Sequence, residues 1–205
     1  MYALYEQRID RLLARSPRLY DRTLRRLPPT LQPTIRDPVR ARRELDAITP
    51  ISPLRRIRTG RALPPRVLLR YYREAQRRFH VAWNVLAAVN FVETAFNKVR
   101  NSSATGAQGP MQFMPSTWRA YGLGGDIHDP HDAILGAANY LHASGAPRNY
   151  ARALHAYNPS WLYVDAVSRY ARRMRLDPQA YFRFYSWQVI VRTRHGDRRL
   201  TGPGR

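Results

Sequence analysis

Residues 81–96 read VAWNVLAAVNFVETAF, and this stretch decides the fold. Through Val92 the side chains are apolar on nearly every side of any helix the segment could form. A helix that is apolar all round belongs inside a protein, so residues 81–92 predict a buried helix in an α-rich core. The run ends in an acid, Glu93. Acidic side chains are seldom buried unless they are paired or functional. Phe91, Val92, Phe96 and the preceding turns would strip water from Glu93, which disfavours the charged form and raises its pKa. The partial negative charge of a helix C-terminus acts in the same direction. A carboxyl kept protonated near neutral pH is what a general acid in glycoside cleavage requires. The local sequence alone equally allows a surface glutamate at a fraying helix end.

Outward from this helix the pattern stays helical. Upstream, Pro64 and Pro65 punctuate the chain, and Val67, Leu68, Tyr71, Tyr72, Ala75 and Phe79 form one helical stripe. Downstream, NSSATGAQGP (101–110) is a small-residue loop. Its Gly106 and Gly109 would let backbone take positive φ and pass close to a ligand, although a merely flexible loop would look the same. PSTWRAYG opens a short helix near Pro115, and GLGGDIHDP is a turn-rich connector. HDAILGAANYLHAS predicts an amphipathic helix with Ile134, Ala138 and Leu141 on its apolar face. ARALHAY and WLYVDAVSRYARRM predict two more, separated by Asn158-Pro159-Ser160.

The flanks are less regular. Tyr5, Ile9, Leu12 and Leu13 recur at helical spacing and predict a first helix. Pro28, Pro29, Pro33 and Pro38 then interrupt the chain, and residues 38–48 form a second candidate helix with Asp37 as N-cap and Pro38 at its first position. Pro50, Pro53 and a basic run lead out of it. After the last long helix, Asp177-Pro178 can cap a short helix holding Tyr181, Phe182 and Phe184, and VIVRTRHGDRRLT (189–201) predicts two strands around a turn at His195-Gly196-Asp197. The aromatic residues here fit packing on the domain better than sugar binding. The chain therefore divides into a basic, proline-punctuated helical extension (1–61), a central domain (62–176) and an aromatic, basic C-terminal extension (177–205).

Composition narrows the function. The formal net charge is +21, from 35 Lys and Arg against 14 Asp and Glu. Such a field attracts nucleic acid, anionic lipid or the anionic polymers of a bacterial wall. The basic residues are spread along the chain, and no nucleic-acid recognition motif appears. There is no cysteine, which excludes disulfides and thiolate catalysis. No segment approaches the roughly 20 apolar residues of a membrane span, and the N-terminus lacks the apolar run of a secretory signal. His128, Asp129, His131 and Asp132 could suggest a metal, but at a connector and helix start N-capping is the simpler reading of Asp126, Asp129 and Asp132.

Glu93 is followed by Ser103, then by Gly106-Ala107-Gln108-Gly109-Pro110-Met111-Gln112-Phe113-Met114-Pro115, then by Ala156-Tyr157-Asn158. This series resembles the three signature motifs of the soluble lytic transglycosylase (SLT) domain of the lysozyme-like superfamily: a Glu-Ser pair, a Gly-Leu-Met-Gln segment and an Ala-Tyr-Asn segment, in that order. GPMQFMPSTWRAYG, DPHDAILGAANYL and ALHAYNPSWLYVDAV are similar to actinobacterial-type members, and the resemblance covers about residues 62–175. Two positions depart from the pattern. Thr94 stands where Ser is usual and keeps the hydroxyl; Pro110 stands for Leu and removes an N–H donor.

The resemblance implies a mainly α, lysozyme-like fold and a peptidoglycan lytic transglycosylase. Glu93 would protonate the oxygen between N-acetylmuramic acid and N-acetylglucosamine, then deprotonate the C6 hydroxyl that closes a 1,6-anhydro ring. No Asp or Glu lies between Glu93 and Asp126, in keeping with a single carboxyl rather than the usual pair. Tyr157 would hydrogen-bond Glu93 or the substrate, Asn158 and Gln112 would hold N-acetyl or peptide groups, Met111 would supply an apolar wall, and Thr94 and Ser103 would add hydroxyl contacts. Ordinary core packing is an equal reading for Met111 and Phe113. The resemblance implies no cofactor and no metal. It implies an extracytoplasmic, monomeric enzyme whose partners are glycan strands and anionic wall polymers rather than a specific nucleic acid. The alternatives are a muramidase on the same fold and a non-catalytic wall-binding module.

Overall fold

The apolar run forms α5 (Trp83–Thr94), and Leu86, Ala87, Ala88 and Val89 in it are wholly buried. This is a computed structural model, and it describes residues 2–51 and 57–202. Around α5 pack α4 (Pro65–Phe79), α7 (Pro130–Ala143), α9 (Trp161–Leu176) and α10 (Gln179–Ser186). The shorter α6 (Pro115–Tyr121) and α8 (Tyr150–Tyr157) lie against α7. The fold is mainly helical, as expected. The small residues of α5 and α7 (Ala87, Ala88, Ala133, Ala137 and Ala138, all fully buried) let the helices approach closely.

Aromatic side chains from the C-terminal segment complete the core. Phe91 at the end of α5 meets the edge of Tyr170 at 4.9 Å between ring centroids and stacks on Phe184 at 5.5 Å. Phe96 meets Tyr181 edge-on at 5.6 Å. Such pairs add about 0.5–1.5 kcal/mol beyond the area they bury. Beyond them β1 (Ile190–Thr193) and β2 (Gly196–Arg199) form an antiparallel hairpin, with Ile190 opposite Arg199 and Thr193 opposite Gly196. The turn sits at Arg194-His195, and Gly196 and Asp197 already belong to β2. Asp177 accepts from the Gln179 N–H at 3.0 Å at the start of α10.

The N-terminal region departs from its sequence reading in three ways. An unanticipated helix, α2 (Pro17–Arg26), follows α1 (Tyr2–Arg15), with Pro17 in its first turn, where a missing N–H costs nothing. The helix expected over 38–48 is α3 (Gln32–Ile48), which has Pro33 in its first turn and carries Pro38 in its interior. Asp37 therefore cannot be an N-cap. It is fully buried and takes hydrogen bonds from Arg172 of α9, one of them from Nε at 3.1 Å. With Glu44 and Arg169, paired at 2.8 Å, this ion pair fixes α3 along α9, and the anchoring outweighs the one helical bond that Pro38 forfeits. Third, α1 is a helix, but of its apolar positions Tyr2, Tyr5, Ile9 and Leu12 are exposed, and it buries Gln7, Asp10, Arg11 and Leu13.

That inversion has a cause at the other end of the chain. Arg11 donates from Nε to Asp197 of β2 at 2.6 Å, the Gln7 amide donates to the Gln188 carbonyl at 2.8 Å, and the Gln188 N–H donates back to Gln7 Oε1 at 2.9 Å. Helix α1 is thus sewn to the C-terminal hairpin through polar groups. Among the expected breakers, Pro53 lies outside the described residues. No helix among the described residues is long and apolar enough to cross a membrane.

Candidate active site

Glu93 occupies the last turn of α5, partly exposed, with three residues of left-handed backbone after it: Ala95 (φ 52°), Phe96 (φ 61°) and Asn97 (φ 65°). Non-glycine residues rarely adopt this conformation, and where they do the surroundings must enforce it. The enforcement is visible. The Ala95 N–H donates to the Phe91 carbonyl at 2.9 Å, the Phe96 N–H to the Asn90 carbonyl at 3.2 Å, and the Asn97 N–H to the Thr94 hydroxyl at 2.9 Å. The helix therefore ends abruptly, and Glu93 is held at the lip of a cleft.

Thr94 and Asn90 then clamp the glycine-rich loop to this helix. The Thr94 hydroxyl donates to the Pro110 carbonyl at 2.6 Å, and the Asn90 amide donates to the same oxygen at 2.8 Å. Asn90 Oδ1 in turn accepts from the Tyr72 hydroxyl at 2.6 Å. Thr94 is only 1% exposed, so its hydroxyl positions the loop; it is out of reach of a ligand. Gly109, beside Pro110, has φ 74°, and a Cβ there would stand 1.9 Å from the Ile127 carbonyl oxygen. The close approach that requires glycine is to the connector. Gly106 also has positive φ, 93°, in open space.

The other expected site residues fall into two groups. Met111 is fully buried and Phe113 nearly so, and both belong to the core. Gln112 has φ 50° and turns its amide back to the carbonyls of Gly109 at 3.0 Å and Asn101 at 3.3 Å. Ser103 is exposed; its hydroxyl accepts from the Ala107 N–H at 2.9 Å and so shapes the loop. Ser103 and Asn158 line the same cavity as Glu93, which measures about 570 Å³. Tyr157 ends α8 and donates its hydroxyl to the Met111 carbonyl at 2.6 Å.

The tyrosine that holds Glu93 is Tyr163, which donates to Glu93 Oε1 at 2.7 Å. Ser160 caps α9 by accepting from the Tyr163 N–H at 3.4 Å, which puts Tyr163 in the first turn with its ring buried beneath the cleft. The Asn158-Pro159-Ser160 break was readable; which face of the first turn met Glu93 was not. Burial pushes the Glu93 carboxyl up to about 7, against the opposing effect of the Tyr163 hydrogen bond. Burial and the nearby Glu93 charge hold both Tyr157 and Tyr163 well above the ordinary tyrosine range, so both remain hydrogen-bond donors.

Two further carboxyls line this cavity, both from the N-terminal region: Asp10 and Asp46. Asp46 is paired with Arg42, whose Nε lies 3.1 Å from Oδ2. Asp10 is 2% exposed, and neither of its oxygens has a hydrogen-bond partner among the described residues. Away from the cleft, Asp129 caps α7 by accepting from the N–H groups of His131 and Asp132 at 2.8 and 3.0 Å. The possible ligand atoms of Asp129, His131 and Asp132 lie within 4.8 Å of one another, and the His131 ring is shared with Glu74 at 3.1 Å.

A single poised carboxyl at the end of an internal helix, over a loop clamped by that helix, places the protein in the class of lysozyme-like helical domains of the lytic transglycosylase kind. The chain belongs to the transglycosylase SLT domain family, which matches residues 70–174, just over half of it. It is also similar to the membrane-bound lytic murein transglycosylase F 1 of Alkalilimnicola ehrlichii, at 27% identity over 147 residues, covering 62% of this chain and 28% of that protein. The chain therefore spans less than a third of the length of that relative. No solved structure matches.

Proposed function

We propose that the protein cleaves peptidoglycan glycan strands between N-acetylmuramic acid and N-acetylglucosamine as a lytic transglycosylase, with Glu93 as acid and then base. The observation that carries this reading is the geometry at the end of α5: Glu93 lines the cavity and is held there by the Tyr163 hydroxyl at 2.7 Å. Burial raises its carboxyl to about 7, so a group in this place can both give and take a proton near neutral pH.

In the proposed reaction the Glu93 carboxyl donates its proton to the glycosidic oxygen as the bond to C1 of the muramoyl unit breaks. The resulting carboxylate accepts the C6 hydroxyl proton of the same sugar as O6 bonds to C1. Glu93 ends protonated, and no water is consumed. Tyr163 fixes the carboxyl and stabilises its anionic intermediate by donating to Oε1. Asn158 and Ser103, which line the cavity, would hold substrate groups, and Thr94, Met111, Gln112 and Tyr157 would shape the wall from behind.

We assign this chemistry to residues 62–176, with both extensions as additions around it. The net charge of +21 suits retention on the anionic polymers of a cell wall, outside the cytoplasm, and such retention weakens as salt rises. Mass spectrometry of products from purified peptidoglycan tests the reading. Products ending in 1,6-anhydro-muramic acid, absent with Glu93→Gln, are expected; reducing ends heavier by one water would make the protein a muramidase, and no products would leave a wall-binding module.

A further inference from the structure

Helix α1 turns its apolar stripe away from the protein. Tyr2, Tyr5, Ile9 and Leu12 follow one another at spacings of three, four and three residues, so they lie along one side of the helix. Tyr2 is 92% exposed, and Tyr5, Ile9 and Leu12 are 49–56% exposed. The helix cannot roll to hide them, because Gln7 and Arg11 on its other side are bonded to the Gln188 backbone and to Asp197. A single exposed leucine is ordinary; four large apolar side chains in a row on one helix mark an interaction surface.

The charges beside the stripe have one sign. Arg8 and Arg15, seven residues apart, run along its edge, and both are exposed. Arg15 also opens a groove of about 670 Å³ that continues onto α2 and whose charged lining is Arg15, Arg18, Arg22 and Arg25. The last three share one face of α2, at spacings of four and three. Arg15 is shared with Asp197 and its side chain stays 45% exposed, whereas Arg8, Arg18, Arg22 and Arg25 have no ion pair among the described residues. Asp21 is the one exposed acid on the two helices, and it does not line the groove.

We propose that α1 and α2 form a docking face for the surface of an anionic lipid bilayer, in which Tyr2, Tyr5, Ile9 and Leu12 enter the headgroup boundary and the groove arginines take lipid phosphates. The two halves of the face choose the partner together. A nucleic acid or an anionic wall polymer would use the arginines and leave the stripe in water. A second copy would cover the stripe but bring another set of unpaired arginines to the same place, where like charges repel. An anionic bilayer offers an apolar layer beneath a plane of phosphates, which matches both. With 14 residues, α1 is about 21 Å long, shorter than a hydrocarbon core of about 30 Å, so it lies in the interface instead of spanning it. Tyrosine, with an apolar ring and a polar tip, suits that boundary. None of the residues of this face lines the Glu93 cavity, so docking leaves the cleft open. The proposal goes beyond the reaction assigned to Glu93 and does not depend on it.

The test is sedimentation of the full chain with vesicles of phosphatidylglycerol and phosphatidylcholine in equal parts, with pure phosphatidylcholine vesicles and soluble inorganic polyphosphate as the comparisons. Binding to the mixed vesicles is expected, about tenfold or more above that to pure phosphatidylcholine. Ile9→Ser combined with Leu12→Ser should weaken binding to the mixed vesicles about tenfold, through the apolar area no longer buried, and leave polyphosphate binding within about twofold. Arg18→Gln, Arg22→Gln and Arg25→Gln combined should weaken binding to both, by about fivefold per arginine on the vesicles. All five positions are on the surface, so Tm should hardly move in either variant and weaker binding cannot be put down to damaged folding. Vesicle binding that survives the loss of the stripe or of the groove arginines, or that is no greater on the anionic than on the neutral vesicles, overturns the docking face. So does a chain that is dimeric in solution and becomes monomeric in the Ile9→Ser, Leu12→Ser variant, which would give the stripe to a second copy.

Discussion

Replacing Glu93 by glutamine removes a titration while keeping the shape of the side chain, and the structure gives the size of the effect. The folded carboxyl stands at about 7 against an ordinary value of 4.5. In the unfolded chain it ionises as pH rises through 4.5; in the folded protein it keeps its proton until about 7. The stability associated with the protonated group is therefore fully present below 4.5, declines across the window from 4.5 to about 7, and is gone above it. At about 1.4 kcal/mol per pH unit, the ionised Glu93 costs the fold about 3 kcal/mol at pH 8.5 and well under 1 kcal/mol at pH 4.5.

Glu93→Gln should thus become more stabilising, relative to the native protein, by about 3 kcal/mol between pH 4.5 and pH 8.5. Because both proteins carry every other titrating group, their difference isolates this one. For a chain of this length the change corresponds to roughly 6–12 °C in the difference of Tm. Urea titrations of both proteins at the two pH values measure it. A stability difference that does not change with pH would refute the burial of Glu93 in the folded state, and with it the acid role assigned to that carboxyl.

Three other variants probe the supports of the site. Tyr163→Phe removes the hydrogen bond that opposes the upward shift of Glu93, so the alkaline limb of kcat/KM should move to higher pH while the maximal rate falls; a limb that stays in place would place Tyr163 outside the acid's control. Gly109→Ala forces a Cβ to 1.9 Å from the Ile127 carbonyl at a φ of 74°, and a loss on the order of 3 kcal/mol in denaturant unfolding is expected. Thr94→Val removes the hydroxyl that joins the Pro110 carbonyl and the Asn97 N–H; it should cost about 2 kcal/mol, whereas Thr94→Ser should be nearly silent in both stability and turnover.

The parts of this protein that could be read from its sequence are those governed by local periodicity. An apolar run as dense as residues 81–92 has nowhere to go except the interior, so α5 followed from the local sequence, while Glu93 at its end was singled out only by the motif series that follows it. The motif order then placed Met111, Gln112, Tyr157 and Asn158 near it. Their individual contacts depended on which side of a loop or first turn faced inward, and a 100° rotation per residue separates Tyr163 from its neighbours on α9. That is why Tyr163, and not Tyr157, reaches Glu93.

The N-terminal region was misread for a different reason. Periodicity finds a helix, but the face it assigns to the core assumes that apolar groups are what the core wants. In α1 that assumption fails on the side that meets the C-terminal segment, where Asp197 and the Gln188 backbone bond Arg11 and Gln7, so Gln7 and Arg11 turn inward and Tyr5, Ile9 and Leu12 turn out. Asp37 fails as an N-cap on the same logic: Arg172, 135 positions away, claims it, and α3 runs through Pro38. Each error lies where a polar contact between distant segments outweighs a local signal worth about 1 kcal/mol.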